Sequence, residues 1–226
     1  MNDNLSRYKF LSGSTLKVIA VISMTIDHMA LYSMAGHLGM QDLWSYGVLR
    51  SVGRIAFPIF AFLAVEGYRH TRNINKYMRT LLLTAFVSEI PWYLLGQHGS
   101  HNVLFTLLLG LLSISITDRL QIQSWKRILP SCFMAAAATA ANTDYSWHGI
   151  GLMTVFSLFT NKSILIFLFG LPFLLEFGLV GTSCGILICL VYNGKRGFIQ
   201  GKWQKYIFYM YYPLHLVAIW CLLHLC

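Results

Sequence analysis

The division of the chain into nine apolar segments constrains its fold more than any other feature. Spanning a hydrocarbon core about 30 Å thick takes roughly 20 apolar residues of helix, each rising about 1.5 Å. Only 11% of the residues are charged, against about 25% in soluble domains. We predict one all-α integral-membrane domain over residues 1–226, a polytopic bundle of about nine spans. The segments cover 16–35, 48–67, 79–96, 102–117, 128–142, 147–160, 163–178, 180–193 and 206–225.

The span count has one uncertain region, and the orientation follows from the basic residues. The sixth to eighth segments run together near Pro172 and Gly178, so eight to ten spans are compatible with the sequence. All but two of the 17 Lys and Arg residues precede the first segment, as Arg7 does, or lie in alternate connections. The positive-inside rule makes those connections, and the N-terminus, cytoplasmic. Because topology explains the net charge of +9, we predict no nucleic-acid binding.

Several ionisable side chains lie within or near the ends of these segments. On insertion scales each costs at least about 2.5–3.5 kcal/mol at the bilayer centre, so each needs a partner, an aqueous cavity or a function. Histidines also occur in the outer connections, but their spacing is too common to indicate zinc, and we predict no metal site. The ionisable residues at membrane depth are Asp27, His28, Arg54, Glu66, Glu89, Glu176 and His215.

Lys17 and His28 give the first span a direction. They are eleven residues apart, almost three helical turns, which places them on one face and about 16 Å apart along the axis. Lys17 would lie at the inner membrane surface and His28 near the midplane. This geometry suits a ligand with an anionic head and a long thin arm. The simpler alternative is a snorkelling lysine and a hydrogen-bonded core histidine.

The second span contains Arg54 and Pro58, one turn apart. Proline has no N–H to donate, so we expect a kink and a free carbonyl near Arg54. Arg54 is either a structural partner of Asp27 or Glu89, or a group that binds an anionic substrate or a developing oxyanion.

Seven sequence motifs carry a resemblance to a known family. They resemble the TraX family over nearly the whole chain. That family is named for a plasmid-encoded membrane protein that N-acetylates pilin, and it is similar in layout to transmembrane acyltransferases. Those enzymes have a basic residue, ten intervening positions and a histidine, a spacing that Lys17 and His28 match. The motifs are MTIDHMAL, GRIAFPIFAFLAVEGYRHTRNINKYMR, SEIPW, NVLFTLLLG, TDYSWHGIG, YNGKRG and FYMYYPLHL.

The resemblance implies a bacterial inner-membrane acetyltransferase with acetyl-CoA as donor. Lys17, Lys195 and Arg196 would then bind the CoA phosphates, since cations beside glycine backbone suit phosphate. His28 would act as general base or accept the acetyl group. Asp27 lies about 100° around the helix from His28 and so should face another span. The remaining implied roles are tuning of His28 by Asp27, Glu89 or Arg54, the second half of the transfer by His215, and acceptor binding by Asn102, Asp144 and Tyr212.

Other functions and partners stay open at the level of sequence. A proton-coupled transporter or channel would also keep ionisable groups in the membrane. A non-catalytic membrane scaffold is a third alternative, which the number of buried ionisable groups disfavours. Besides membrane lipid and acetyl-CoA, the expected partner is an acceptor outside the cytoplasm: a sugar hydroxyl, a peptide amine or a lipid-linked saccharide. The sequence leaves a homodimer open.

Overall fold

The computed structural model describes residues 9–160 and 162–225, which are helical apart from connections and two isolated β-bridges. Arg7 lies outside the described residues. A π-helix over Ala30–His37 continues α1, and two 3-10 segments cover Ser124–Arg127 and Leu171–Phe177. The α-helices are α1 (Gly13–Met29), α2 (Trp44–Gly53), α3 (Ala56–His70), α4 (Ile74–Leu94), α5 (Val103–Arg119), α6 (Ile128–Ala140), α7 (Ser146–Leu158), α8 (Ser163–Gly170), α9 (Leu179–Leu190) and α10 (Lys202–Leu225).

Every predicted segment contains a helix, which confirms the all-α prediction. The count of about nine spans is not confirmed. Helices of 13 residues such as α6 and α7 are only about 20 Å long, shorter than the hydrocarbon core. Within the described residues, three helices are long and apolar enough to cross a membrane: Gly13–His37, Trp44–His70 and Tyr206–Leu225.

The second of these long helices is interrupted where the sequence predicts a kink. α2 ends at Gly53 and α3 begins at Ala56. Pro58 has no N–H to offer the carbonyl of Arg54, so the helical hydrogen-bond ladder cannot continue through this point. Ser23 of α1 donates from Oγ to the carbonyls of Val52 and Gly53, at 2.6 and 3.1 Å. α1 therefore bonds the backbone at the end of α2, next to the interruption.

Two glycines of α9 bring that helix against the interruption. Gly181 and Gly185 are one turn apart, a small-xxx-small spacing that allows close helix packing. A Cβ at Gly181 would overlap the Ser51 carbonyl oxygen, and one at Gly185 would overlap Pro58 and the carbonyl of Ile55. α9 thus holds the segment around Arg54 from the side opposite α1.

The connections gather at two ends of the bundle. We call the end formed by residues 66–79, 117–127, 156–160, 162–163 and 191–197 the basic end, and the end formed by residues 96–102 and 141–146 the opposite end. A backbone bridge between His101 and Thr143 joins the opposite end. The basic end is joined by bonds from Arg119 to Asn75 (2.9 Å), from Tyr68 to Asp118 (3.0 Å) and from Arg69 to the Ser157 carbonyl (3.0 Å).

Candidate functional site

The central polar contact of the site joins His28 of α1 to His215 of α10. Nδ1 of His28 lies 2.7 Å from Nε2 of His215, and the two rings are within 8° of parallel. The second nitrogen of His215, Nδ1, lies 2.9 Å from the Tyr211 carbonyl oxygen. A carbonyl can only accept, so Nδ1 of His215 carries the hydrogen. The neutral ring then accepts at Nε2, and the bonding assigns the donor hydrogen to Nδ1 of His28.

This tautomer assignment leaves Nε2 of His28 with a lone pair. Within the described ranges no protein group bonds that nitrogen. A neutral imidazole nitrogen with an oriented ring is the group that general-base catalysis and nucleophilic attack both require. The pairing of His28 with His215 therefore leaves one oriented ring nitrogen, Nε2 of His28, without a protein partner among the described residues.

A second hydrogen bond, one turn from the histidine pair, joins α1 to α10. The hydroxyls of Thr25 and Tyr211 are 2.7 Å apart. Thr25 donates to the Val21 carbonyl at 2.8 Å, so Tyr211 donates to Thr25. In the sequence, Tyr211 has the pattern of an interfacial aromatic residue, and Thr25 does not stand out. The only available signal is the spacing of Thr25 from His28 and of Tyr211 from His215, about one turn in each helix.

Aromatic rings surround His28. The rings of Tyr32 and Tyr212 have centroids 5.7 and 6.4 Å from that of His28, and both tyrosines are buried. The Tyr212 hydroxyl lies by the backbone N–H of Val103. The Tyr32 hydroxyl and Oδ1 of Asp27 have no hydrogen-bond partner among the described residues. A buried unpaired polar group costs about 1–3 kcal/mol, so these two atoms indicate a place where a polar ligand or water would bond.

Tyr32 belongs to a π-helical segment, which sequence patterns do not reveal. The segment Ala30–His37 begins two residues after His28, and the N–H of Leu38 bonds the Ser33 carbonyl five residues back, at 3.0 Å. π-helical turns are rare and are frequent at functional sites. Tyr32 follows His28 by four residues, which places the two rings on one face of the helix, 5.7 Å apart.

Asp27 faces α2, as its angle from His28 predicts, but its partner is Arg50. The two side chains form an ion pair at 2.6 Å in a mostly buried setting. Gly53 makes room for it, because a Cβ there would overlap the Asp27 carboxylate. In the sequence, Arg50 is only an exception to the charge pattern, and Arg54 is the arginine predicted either to pair with Asp27 or Glu89 or to bind an anionic group.

Arg54 instead contacts the start of α7. It donates to the Tyr145 hydroxyl at 2.9 Å and lies over the rings of Tyr145 and Phe177, 5.9 and 5.7 Å from their centroids. Asp144, in the connection before α7, adds a carboxylate to this region. Burial raises the pKa of Asp144 to about 6, and the nearby Arg54 acts in the opposite direction. Asp144 thus belongs to the opposite end, and Arg54 lies near both Asp144 and His28.

Glu89 and Asn102 are brought together, but at the opposite end rather than at the histidines. Glu89 accepts from the backbone N–H of Asn102 and from His101, each at 2.9 Å. The fully buried Asn102 caps α5 by accepting from the Leu104 N–H at 3.1 Å. These bonds give both residues a structural position that joins α4 to α5. Across the described ranges, no three His, Cys, Asp or Glu side chains form a metal-binding group.

The predicted phosphate-binding cations meet at the N-terminal end of α1. The N–H groups of Gly13 and Ser14 donate to the carbonyls of Lys195 and Arg196, both at 2.9 Å. Arg196 is close enough for its charge to repel that of Lys17, which an anion between them would relieve. Lys17 also lies over the Phe208 ring of α10, 5.8 Å from its centroid. Lys17 and His28 therefore both face α10, as their spacing predicts.

Comparisons with known proteins cover nearly the whole chain. A probable fimbrial assembly protein, FimC of serogroup H1, from Dichelobacter nodosus is 28% identical over 252 aligned residues, covering 96% of this chain and 97% of that protein. An uncharacterized protein, RP591, from Rickettsia prowazekii (strain Madrid E) is 32% identical over 96 residues, 42% of this chain and 33% of that protein. No solved structure matches. The family model described as TraX protein matches residues 12–223, and the chain therefore belongs to the TraX family.

Proposed function

We propose that this protein transfers an acetyl group from cytoplasmic acetyl-CoA to an amine or hydroxyl on the outer side of the bacterial inner membrane. The observation that carries the proposal is the bond from His28 to His215, which leaves Nε2 of His28 as an oriented base. Lys17 and Arg196 lie at the basic end of the same helix face. The distance from Lys17 to His28, about 16 Å along α1, suits a thioester on a long arm.

The donor end binds the anionic part of CoA. Lys17, Lys195 and Arg196 supply positive charge where two backbone segments are bonded to each other. Charge-assisted bonds from lysine and arginine to phosphate are among the stronger hydrogen bonds in proteins. When bound, acetyl-CoA supplies an activated acyl group whose leaving thiolate stays on the cytoplasmic side.

His28 handles the proton of the acceptor. Its Nε2 takes a proton from the attacking amine or hydroxyl, the acceptor forms a bond to the acetyl carbon, and the carbon–sulfur bond breaks. The proton then neutralises the CoA thiolate. His215 stabilises the imidazolium that forms on His28, because the shared Nδ1 proton can move toward Nε2 of His215. If His28 attacks the thioester itself, the same atoms give an acetyl-histidine that the acceptor later cleaves.

The acceptor approaches from the opposite end. The unpaired hydroxyl of Tyr32 and the free oxygen of Asp27 offer bonds near His28, and the Tyr212 ring lines the same place. Asp144 offers a carboxylate on the same approach, and Arg54 remains near enough to influence charge there. A relative's name refers to fimbrial assembly, which supports a pilin-like peptide as one acceptor beside a cell-surface saccharide.

The direct test is transfer of radiolabel from acetyl-CoA by the purified protein in proteoliposomes, with cell-envelope extract as the acceptor source. His28→Ala should lose at least about a hundredfold in rate, since a positioned general base contributes roughly 10²–10⁴-fold. His224→Ala is the control, because it also removes a histidine from the helical bundle, but His224 bonds the Trp220 carbonyl of its own helix and lies nine residues beyond His215. Normal turnover by folded His28→Ala protein contradicts the mechanism.

CoA binding to the same samples tests the donor site separately. Neutralising Lys17, Lys195 and Arg196 together should weaken CoA binding, and unchanged affinity refutes the docking site. Label retained on the wild-type protein supports an acetyl-enzyme, whereas label only in the extract supports direct transfer. Failure of the wild-type protein to bind CoA at all would favour the proton-coupled transporter instead.

A further inference from the structure

An open cavity of about 530 Å³ lies at the basic end, along the first turns of α4. It shares no residue with the histidine site, and ligand binding there does not depend on acetyl transfer. Its lining combines amide, hydroxyl and cationic side chains with one leucine. The lining residues are Asn73, Asn75, Lys76, Arg79, Thr80 and Leu83.

The cavity holds positive charge without a protein counterion. Lys76 and Arg79 are exposed, and neither forms an ion pair with any residue that the structure describes. Arg119 donates to Oδ1 of Asn75 at 2.9 Å, which leaves the amide nitrogen of Asn75 to donate. Cations and an amide donor around one cavity are complementary to a phosphate ester.

An exposed apolar stripe continues from the cavity along the same helix. Leu83, Phe86, Val87 and Ile90 are all exposed, and their spacing places them on one face of α4. From Leu83 to the exposed Leu94 the helix rises about 16 Å, about half of a 30 Å hydrocarbon core. The stripe is therefore as long as one leaflet, and it begins where the charges end.

We infer that this surface binds an anionic phospholipid, with the phosphate in the cavity and an acyl chain along the stripe. A soluble phosphate ester would use the cavity but not the stripe. A zwitterionic lipid would use the stripe but would bring a positive group to a cationic cavity. Basic pockets at membrane depth on the cytoplasmic side bind anionic head groups for the same reason.

The test is titration of the purified full-length protein with phosphatidylglycerol and with phosphatidylcholine in a neutral detergent, with bound lipid counted by native mass spectrometry. Phosphatidylglycerol should bind more tightly. The double variant Lys76→Gln, Arg79→Gln should lose about tenfold to thirtyfold in affinity for phosphatidylglycerol only, since each cation near an anionic surface contributes about fivefold.

The matched control is Lys126→Gln with Lys162→Gln, which removes the same charge from exposed positions elsewhere at the basic end. It should change the affinity less than twofold. Equal loss in both double variants, or equal binding of the two lipids by the wild-type protein, overturns the site. Glycerol phosphate that displaces phosphatidylglycerol at similar concentrations would show a phosphate site without a lipid and would also overturn it.

Discussion

At the residue scale, the site depends on which ring nitrogen of each histidine is hydrogen-bonded within the protein. Nδ1 of His215 is bonded to its own helix, and that bond determines the tautomers of both rings. The hydrogen bond from Nδ1 of His28 to Nε2 of His215 keeps the His28 ring oriented toward α10. In the proposed mechanism, the remaining nitrogen of His28, Nε2, acts as the base, and His215 positions the His28 ring.

His215→Ala should therefore lower acetyl transfer without abolishing it. The variant leaves Nε2 of His28 in place but removes the acceptor for its Nδ1 hydrogen, so the ring is no longer oriented and the imidazolium is less stable. We expect a rate reduction of about 10²-fold, the lower end of the range for acid–base catalysis. The measurement is initial rate against acetyl-CoA concentration.

The pattern of the kinetic change identifies the role of His215. Because His215 lies far from Lys17, the KM for acetyl-CoA should stay within about twofold while kcat falls. His215→Gln should recover part of the lost kcat, because the glutamine amide oxygen can accept a hydrogen bond from Nδ1 of His28. A variant with wild-type kcat would show that the bond between the rings has no role in turnover.

At the element scale, the interruption between α2 and α3 organises the site. It is held by Ser23 from α1 and by the close approach of α9 at Gly181 and Gly185. Arg50 lies before the interruption and pairs with Asp27, whereas Arg54 lies at it and reaches Tyr145. The two arginines thus have different partners although they are only four residues apart in the chain.

Gly181→Ala should destabilise the protein through this contact. The added Cβ would overlap the backbone carbonyl of Ser51, which a side-chain movement cannot relieve. Overpacking of this kind costs about 1–3 kcal/mol. The thermal unfolding midpoint in detergent, followed by tryptophan fluorescence, should fall.

Gly47→Ala is the matched control, because Gly47 is also helical but has open space around its Cβ position. Removing a helical glycine there should leave the midpoint unchanged or raise it slightly, with a gain of about 0.5–1 kcal/mol. If the unfolding midpoint falls equally in both variants, the close packing of α9 is not what holds the interruption.

The sequence predicts where the helices lie better than it predicts which helices pack against each other. Apolar segments locate the helices, Pro58 locates the interruption, and spacing places Lys17 and His28 on one face. The pairing of Asp27 with Arg50 depends on which helices touch and on a glycine that admits the carboxylate, and neither follows from local pattern. Glu89 is an isolated charge in the sequence, yet it is bonded into a helix cap. The π-helix has no compositional signature that distinguishes it from the end of an apolar α-helix.

At the scale of the whole molecule, the two ends differ in charge and in what they join. The basic end gathers Lys17, Lys195 and Arg196 about α1, and the opposite end gathers Asp144 and the Glu89 cap. Helices such as α6 and α7 are too short to cross a bilayer of ordinary thickness. The three helices of the described chain that are long and apolar enough to cross a membrane all contribute side chains near the histidine pair.

Orientation is therefore the property on which the direction of transfer depends, and single cysteines can measure it. In a variant without the five native cysteines, Arg72→Cys and Lys162→Cys report the basic end, and His98→Cys and Asn142→Cys report the opposite end; all four positions are exposed. The positive-inside rule predicts that a membrane-impermeant maleimide labels only the second pair in intact cells and all four after permeabilisation. The reverse pattern would place Lys17 away from cytoplasmic acetyl-CoA. It would contradict the proposed transfer even if the histidine chemistry were intact, because donor and acceptor would then approach from the wrong sides.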